Sequence, residues 1–295
     1  MPPLHLGVVL PNYGDALDAE RLAGAAVAAE EVGFDSGWVT DHLMVPGEYA
    51  PVYGTIAEAL VSLGFLAART RRLGLGVSAL IVPQRRPLVA LKQLMTLDFL
   101  SGGRILAAVS PGWLEPEFAS LGADYRGRGR LVDDWLRAAA SVAEQMPGRV
   151  RLEGRFEADG WMSPGPVRPG GPELWAAGVS RATLRRAALT GVWHPVALPP
   201  DDLRAMAAEL RERRADSRVV LRIGVSLTPE PQAGVDERGR HAVAGPAEWV
   251  AARLSEYVDA GCDGFVVNLG HERGGLEDRL RRFADEVVPL LPGRG

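Results

Sequence analysis

GFDSGWVTDH, residues 33–42, ends one helix, runs one short strand and delivers two polar side chains. Gly33 reads as a helix C-cap, because a backbone at positive φ is cheapest without a Cβ. From Ser36 to Thr40 the run carries Trp38, Val39 and Thr40 without helical spacing, which suits a short buried strand. Asp41 and His42 then sit at the strand's carboxyl end. In a chain that alternates strands and helices, ligand chemistry collects at that end, since rigid strands carry variable loops there.

Working outward, the same junction recurs as GCD, residues 261–263, before a second apolar run from Gly264 to Asn268. Repetition of one short helix-to-strand connection is the mark of a βα unit copied around a ring. Six more strands fit the pattern: Leu4–Leu10, Leu73–Leu80, Arg104–Val109, Glu173–Ala177, Val192–Ala197 and Arg218–Leu227. Helical stripes alternate with them. Asp15 can cap the first, where Leu22, Ala25, Ala26 and Ala29 share a face; the others cover about 55–69, Leu88 to Leu100, a stretch with Leu131, Trp135 and Leu136, a run to Leu189, about 201–214, a face of Val250, Leu254, Tyr257 and Val258, and a last one from Leu276 to Leu290. Ser110 to Arg128 reads as a long loop. Residues 147–172, rich in Pro and Gly, read as a short excursion between strands four and five. The expectation is an α/β fold, a (β/α)8 TIM barrel, with residues 1–295 forming one domain. An open sheet would announce a nucleotide site with G-x-G-x-x-G after strand one, and this chain has PNYG there.

Composition narrows the function. With 47% hydrophobic and 24% charged residues and a net charge of -4, the chain has no basic footprint for nucleic acid. No apolar run approaches the roughly 20 residues that span a bilayer, and no charged-then-apolar leader opens the chain, so neither a membrane nor a secretory role is expected and the reading is cytoplasmic. Cys262 is the single cysteine, which excludes an internal disulfide. Lys92 is the single lysine and lies in a helical pattern, so Schiff-base catalysis is not expected. No His-x-His follows strand one and no metal spacing or G-x-S-x-G elbow occurs, so no metal is expected.

On this fold the strand ends bring Asn12, Tyr13, Asp41, His42, Ser78 to Leu80, Ser110 to Trp113, Gly178 to Ser180, Trp193, His194 and Asn268 to one mouth. Aromatic walls and small-residue loops suit a flat organic cofactor bearing phosphate. PNYG, GFDSGWVTDHL, GVSALIVPQRRP, SGGRILAAVSPGWLEPEF, WAAGVSRATLRRA and GVWHPVALPPDDL together resemble the luciferase-like flavin and deazaflavin oxidoreductases. The resemblance implies a TIM barrel that binds F420 or FMN, hydride transfer to or from a small organic substrate, and a homodimer. It implies His42 as the proton-transfer group with Asp41 beside it. It also implies a cofactor held by Asn12, Asp41, Ser78, Ala79, Ser110, Pro111, Gly112, Ala177, Gly178, Val179 and Ser180, with a non-prolyl cis peptide at Ser78–Ala79. Tyr13, Trp113, Trp193 and His194 are the expected substrate-binding residues. Trp113 stands where related sugar-phosphate dehydrogenases place a glutamate, which argues against that substrate.

Plainer readings compete. His42 could be a structural histidine and Asp41 a loop acceptor. Gly178 to Ser180 open an arginine-rich helix whose free N–H groups would hold phosphate, or simply form a capped helix with a solvated face. Arg85, Arg86, Arg126, Arg128 and Arg130 follow strands three and four; they could be solvated, or they could meet the carboxylates of the F420 tail, which FMN lacks. F420-dependent hydride transfer is the first expectation, with an FMN-dependent two-component monooxygenase and a non-catalytic flavin or small-ligand carrier as alternatives.

Overall fold

The computed structural model of the chain describes residues 3–15, 17–232, 234, 235, 240–270 and 275–293. Its elements begin with β1 (His5–Val9), α1 (Ala19–Glu31), β2 (Ser36–Val39), the short α2 (Ala50–Tyr53), α3 (Ala59–Arg69), β3 (Gly74–Ile81), α4 (Pro87–Ser101) and β4 (Ile105–Ser110). Next come α5 (Glu115–Ser120), α6 (Arg128–Gln145), β5 (Gly148–Leu152) and β6 (Ala158–Met162). The series ends with β7 (Glu173–Ala177), α7 (Arg181–Thr190), β8 (Val192–His194), α8 (Pro200–Arg213), β9 (Arg218–Leu227), β10 (Ala242–Gly245), α9 (Ala247–Asp259), β11 (Gly264–Asn268) and α10 (Leu276–Arg282). Strands are hydrogen-bonded in the order β10-β9-β11-β1-β2-β3-β4-β7-β8, and β8 pairs back onto β9. Eight strands therefore close into the (β/α)8 barrel. Packing divides the chain into two compact units, Met1–Pro11 with Asp18–Trp38 and Trp175–Gly295, and Asn12–Leu17 with Val39–Leu174.

In the first unit β1 pairs in parallel with β11 and β2, and β11 with β9. The recurrent junction has a physical cause. Asp35 of GFD accepts the Leu6 N–H at 2.7 Å, and Asp263 of GCD accepts the Val219 N–H at 2.8 Å, so the same carboxylate fastens the entry of one strand to its neighbour twice. Gly33 adopts φ 88° after α1, as expected of the cap. The N-cap of α1 is Asp18 rather than Asp15, its carboxylate accepting the Arg21 N–H at 2.9 Å. The expected strand Val192–Ala197 stops at His194 because Pro195 has no N–H to continue the ladder. Trp38, Trp175 and His194 cluster in the core, Trp38 stacked on His194 with centroids 5.3 Å apart and tilted against Trp175 at 4.6 Å.

In the second unit β3 pairs with β4, and the register slips between Ser78 and Leu80, where the Ser78–Ala79 bond is cis. Arg104 ties α3 to the start of β3 by donating to the carbonyls of Ala67 and Leu73 at 3.1 and 2.8 Å. Residues 110–128 are not all loop: Pro116 starts the helix α5 within them. The excursion forms a hairpin, β5 antiparallel to β6. Its return is pinned by the buried Asp98, which accepts the Val167 N–H at 3.0 Å, and by Lys92, whose ammonium donates to the Ser163 carbonyl. Among the described residues no helix is long and apolar enough to cross a membrane.

Candidate active site

Where β2 ends, Asp41, His42, Leu43 and Met44 meet two side chains from other parts of the second unit. Glu117, from the first turn of α5, has no solvent exposure, and its Oε2 lies 2.8 Å from His42 Nδ1. Its Oε1 accepts the N–H groups of Leu43 at 2.6 Å and Met44 at 3.1 Å. Burial alone would raise the pKa of this carboxyl. The His42 ring and the Leu43 N–H outweigh it and hold it at about 2. Gln84 is itself buried, and its carboxamide lies outside hydrogen-bond geometry, with neither polar atom partnered among the described residues.

An ionised carboxylate only accepts hydrogen bonds, so His42 Nδ1 carries the hydrogen between them. In the neutral ring Nε2 then holds the lone pair. Among the described residues Nε2 makes no hydrogen bond. His42 is 5% exposed and lies between Tyr53, 4.6 Å away centroid to centroid, and Trp113, edge-on at 6.1 Å. Tyr13 continues this wall at 5.5 Å from Tyr53, and Tyr49 meets Trp113 at 5.2 Å. Trp113 is 52% exposed, so it meets the histidine while much of its surface faces solvent.

Asp41 departs from the expected catalytic role. Its Oδ1 accepts Arg85 Nη2 at 2.7 Å, and its Oδ2 accepts Arg85 Nη1 at 2.7 Å and the Ile81 N–H at 2.9 Å. With both oxygens held by a guanidinium and an amide, this carboxylate fixes the strand end next to His42. Arg85 is likewise no solvated loop residue: its side chain is 8% exposed and also meets Glu58 Oε1 at 2.6 Å. Burial works against its charge, and the two carboxylates outweigh that and raise its pKa. Asn12, expected to bind cofactor, spends its amide on the protein, with Nδ2 donating to Thr40 O at 2.8 Å and Ala57 O at 3.1 Å and Oδ1 accepting the Thr40 N–H at 2.8 Å.

Ser78 is buried and Ala79 half-buried at the β3 bulge. Ser110 Oγ accepts the Gly112 N–H at 3.3 Å across Pro111. Gly112, at φ 76°, lies so close to Ile81 and the Phe118 ring that a Cβ would fall 2.7 Å from Ile81 Cγ2. Arg128 is occupied as well, donating to Gly112 O at 3.2 Å and Tyr125 O at 2.7 Å with its guanidinium over the Tyr125 ring. Arg86, Arg126 and Arg130 remain exposed.

The other expected residues belong to the first unit. Ala177 ends β7, Gly178 follows at φ 124°, and Val179 and Ser180 are exposed at the start of α7, where Ser180 Oγ accepts the Thr183 N–H. Trp193 and His194, expected to touch substrate, are instead fully buried. The Trp193 indole donates to Gly178 O at 2.8 Å, and His194 Nδ1 donates to Val220 O at 2.7 Å. Burial pushes the His194 pKa down to about 3.

Glu117, Gln84, Tyr49 and Tyr53 were not singled out from the sequence. Pro116 was the available signal for Glu117: a proline between two glutamates marks a helix start, and a helix would turn the second glutamate inward.

The strand order defines a TIM barrel, with His42 held between Glu117 and a group of aromatic side chains just after β2. The chain belongs to the luciferase-like monooxygenase family, whose model matches residues 5–244. It is 27% identical over 92% of its length, and 77% of the relative's, to the FMNH(2)-dependent dimethylsulfone monooxygenase of Pseudomonas putida. In fold it is similar to an F420-dependent secondary alcohol dehydrogenase solved with an F420-acetone adduct, at TM-score 0.77 and 17% identity, with 98% and 99% of the two chains covered. The oxygenating constituent of the type II Baeyer-Villiger 3,6-diketocamphane monooxygenase of Pseudomonas putida, solved with FMN, superposes at TM-score 0.78 and 14% identity over 98% and 99% of the chains.

Proposed function

We propose that the chain is an oxidoreductase that moves a hydride between F420 and a small organic substrate, with His42 exchanging the accompanying proton at Nε2. The observation that carries this reading is the His42 ring itself, fixed on its Nδ1 side by Glu117 and unbonded at Nε2 among the described residues. The residues fit a flavin-type group: Tyr13, Tyr53 and Trp113 give flat apolar walls, and the buried Gln84 amide retains unspent hydrogen-bonding capacity. When bound, such a cofactor supplies the two-electron centre. The chain's own part is to wall the ring, exclude water with the aromatic cluster and hold the histidine in one orientation. The loop residues Ser110, Pro111 and Gly112 and the bulge residues Ser78 and Ala79 are the proposed contacts to the cofactor.

Arg86, Arg126 and Arg130 support F420, because its tail carries several carboxylates and exposed guanidinium groups attract them. A second reading, an FMN-dependent monooxygenase fed with reduced flavin, is supported by the relative that uses FMNH2. Fluorescence titration of the protein with each cofactor at low and high salt separates the two. Tighter F420 binding that weakens with salt is expected; preference for FMN would transfer the assignment to the monooxygenase, and binding of neither would refute both.

A further inference from the structure

We propose that Glu117 is the positioning residue that decides which nitrogen of His42 exchanges the proton, holding hydrogen on Nδ1 and leaving the lone pair on Nε2. This rests on the proposed role of His42. A neutral imidazole has one N–H and one acceptor nitrogen, and which is which follows from the partner at either end. Glu117 Oε2 stands 2.8 Å from Nδ1. Its other oxygen is held by the Leu43 and Met44 N–H groups, so the carboxylate cannot rotate away without breaking both bonds. Those two amides follow His42 directly in the chain, so one carboxylate fixes the ring and the backbone that carries it. The hydrogen bonds that favour its charge keep it an acceptor at neutral pH.

Gln84 completes the arrangement. Its carboxamide is buried beside Glu117 with no partner among the described residues, and a buried amide left unpaired is costly. A small displacement of its NH2 toward Glu117 would add a further donor to the carboxylate.

When His42 accepts, the Nε2 lone pair forms the new N–H bond while the bonding pair of the substrate's O–H stays on oxygen. The imidazolium formed faces the Glu117 carboxylate and is stabilised by it. In the reverse direction Nε2–H returns the proton, and Nδ1–H does not change partner.

Nitrogen-15 ring spectra of the protein without cofactor read the tautomer directly, with His42 assigned by its loss in His42→Gln. The expected result for the neutral ring is the Nδ1–H form. Glu117→Gln keeps the shape and the bonds from Leu43 and Met44 through its carbonyl, and turns an NH2 toward Nδ1. It should therefore reverse the tautomer to Nε2–H and lower kcat about tenfold to a thousandfold with little change in cofactor affinity. Wild-type protein in the Nε2–H form, an unchanged tautomer in folded Glu117→Gln, or a reversed tautomer with unchanged kcat would each overturn the proposal. If Glu117→Gln does not fold, the wild-type spectrum alone decides. Failure to turn over with either cofactor would refute the proposed function and leave the tautomer result standing.

Discussion

The guanidinium of Arg85 meets the carboxylate of Asp41 in two parallel bonds of 2.7 Å each, joining the end of β2 to the turn after β3. The Asp41 side chain is fully buried, so this pair is held away from the screening that makes surface ion pairs weak. A third contact, from Arg85 to Glu58, brings in the residue that caps α3 through the Val61 N–H at 2.7 Å. One arginine thus joins a strand end, a turn and a helix start around His42.

Arg85→Ala should therefore destabilise the protein by about 3–5 kcal/mol, since it leaves a buried carboxylate without its counter-charge. Arg85→Lys should fall between, because an ammonium cannot make both bonds. Urea unfolding midpoints check both. A loss in Arg85→Ala no larger than that of an exposed residue such as Arg86→Ala would contradict the clamp.

His42→Ala should lower turnover by roughly 10² to 10⁴ while cofactor affinity stays nearly intact. Single-turnover rates with the reacting substrate, set beside cofactor titrations, give the comparison. Unchanged turnover would remove His42 from the chemistry, and a change confined to affinity would make it a binding residue.

Acid should weaken the fold in two overlapping windows. His194 has a folded pKa of about 3, below the ordinary value of 6.5, so the unfolded chain takes up its proton first. Its contribution is complete above about pH 6.5 and is lost as pH falls toward 3, on the order of 5 kcal/mol in all. Glu117, lowered from 4.5 to about 2, contributes above pH 4.5 and loses that contribution as pH falls through 2. Urea midpoints measured from pH 7 to 4 should fall for wild type and flatten in His194→Gln. An equal slope in both would contradict the assignment.

Arg126→Glu and Arg130→Glu should each weaken F420 binding severalfold at low salt, with the effect shrinking at high salt, and should leave FMN binding nearly unchanged. Both side chains are exposed, so folding should not change. Equal losses for the two cofactors would show that the tail is not what these arginines meet.

The strands were the legible part of this chain. Glu173–Ala177, Arg218–Leu227 and Gly264–Asn268 were placed to the residue, because buried parallel strands are short apolar runs between glycines and turns. β10 escaped notice: Ala242–Gly245 is four small or β-branched residues with no alternation to separate it from a loop. The position of His42 just after β2 is legible in the sequence, but the Glu117 carboxylate it meets lies 75 positions along the chain. No local pattern links positions that far apart. The pairing of Asp41 with Arg85 is hidden from the sequence for the same reason, since the two are 44 residues apart. Gly178 also carries a lesson about choosing variants: at φ 124°, with Thr183 Oγ1 3.0 Å from where a Cβ would sit, Gly178→Val strains the backbone itself and is no clean test of ligand binding.

The bond from Lys92 to the Ser163 carbonyl has a practical meaning beyond holding the excursion in place. Because the sequence has a single lysine, an acylating reagent meets one ε-amine, and that amine is engaged by the segment that leaves the hairpin. Its rate of acylation becomes a stopwatch for the opening of that segment. A dye attached there would mark one known position on α4 without a single engineered substitution.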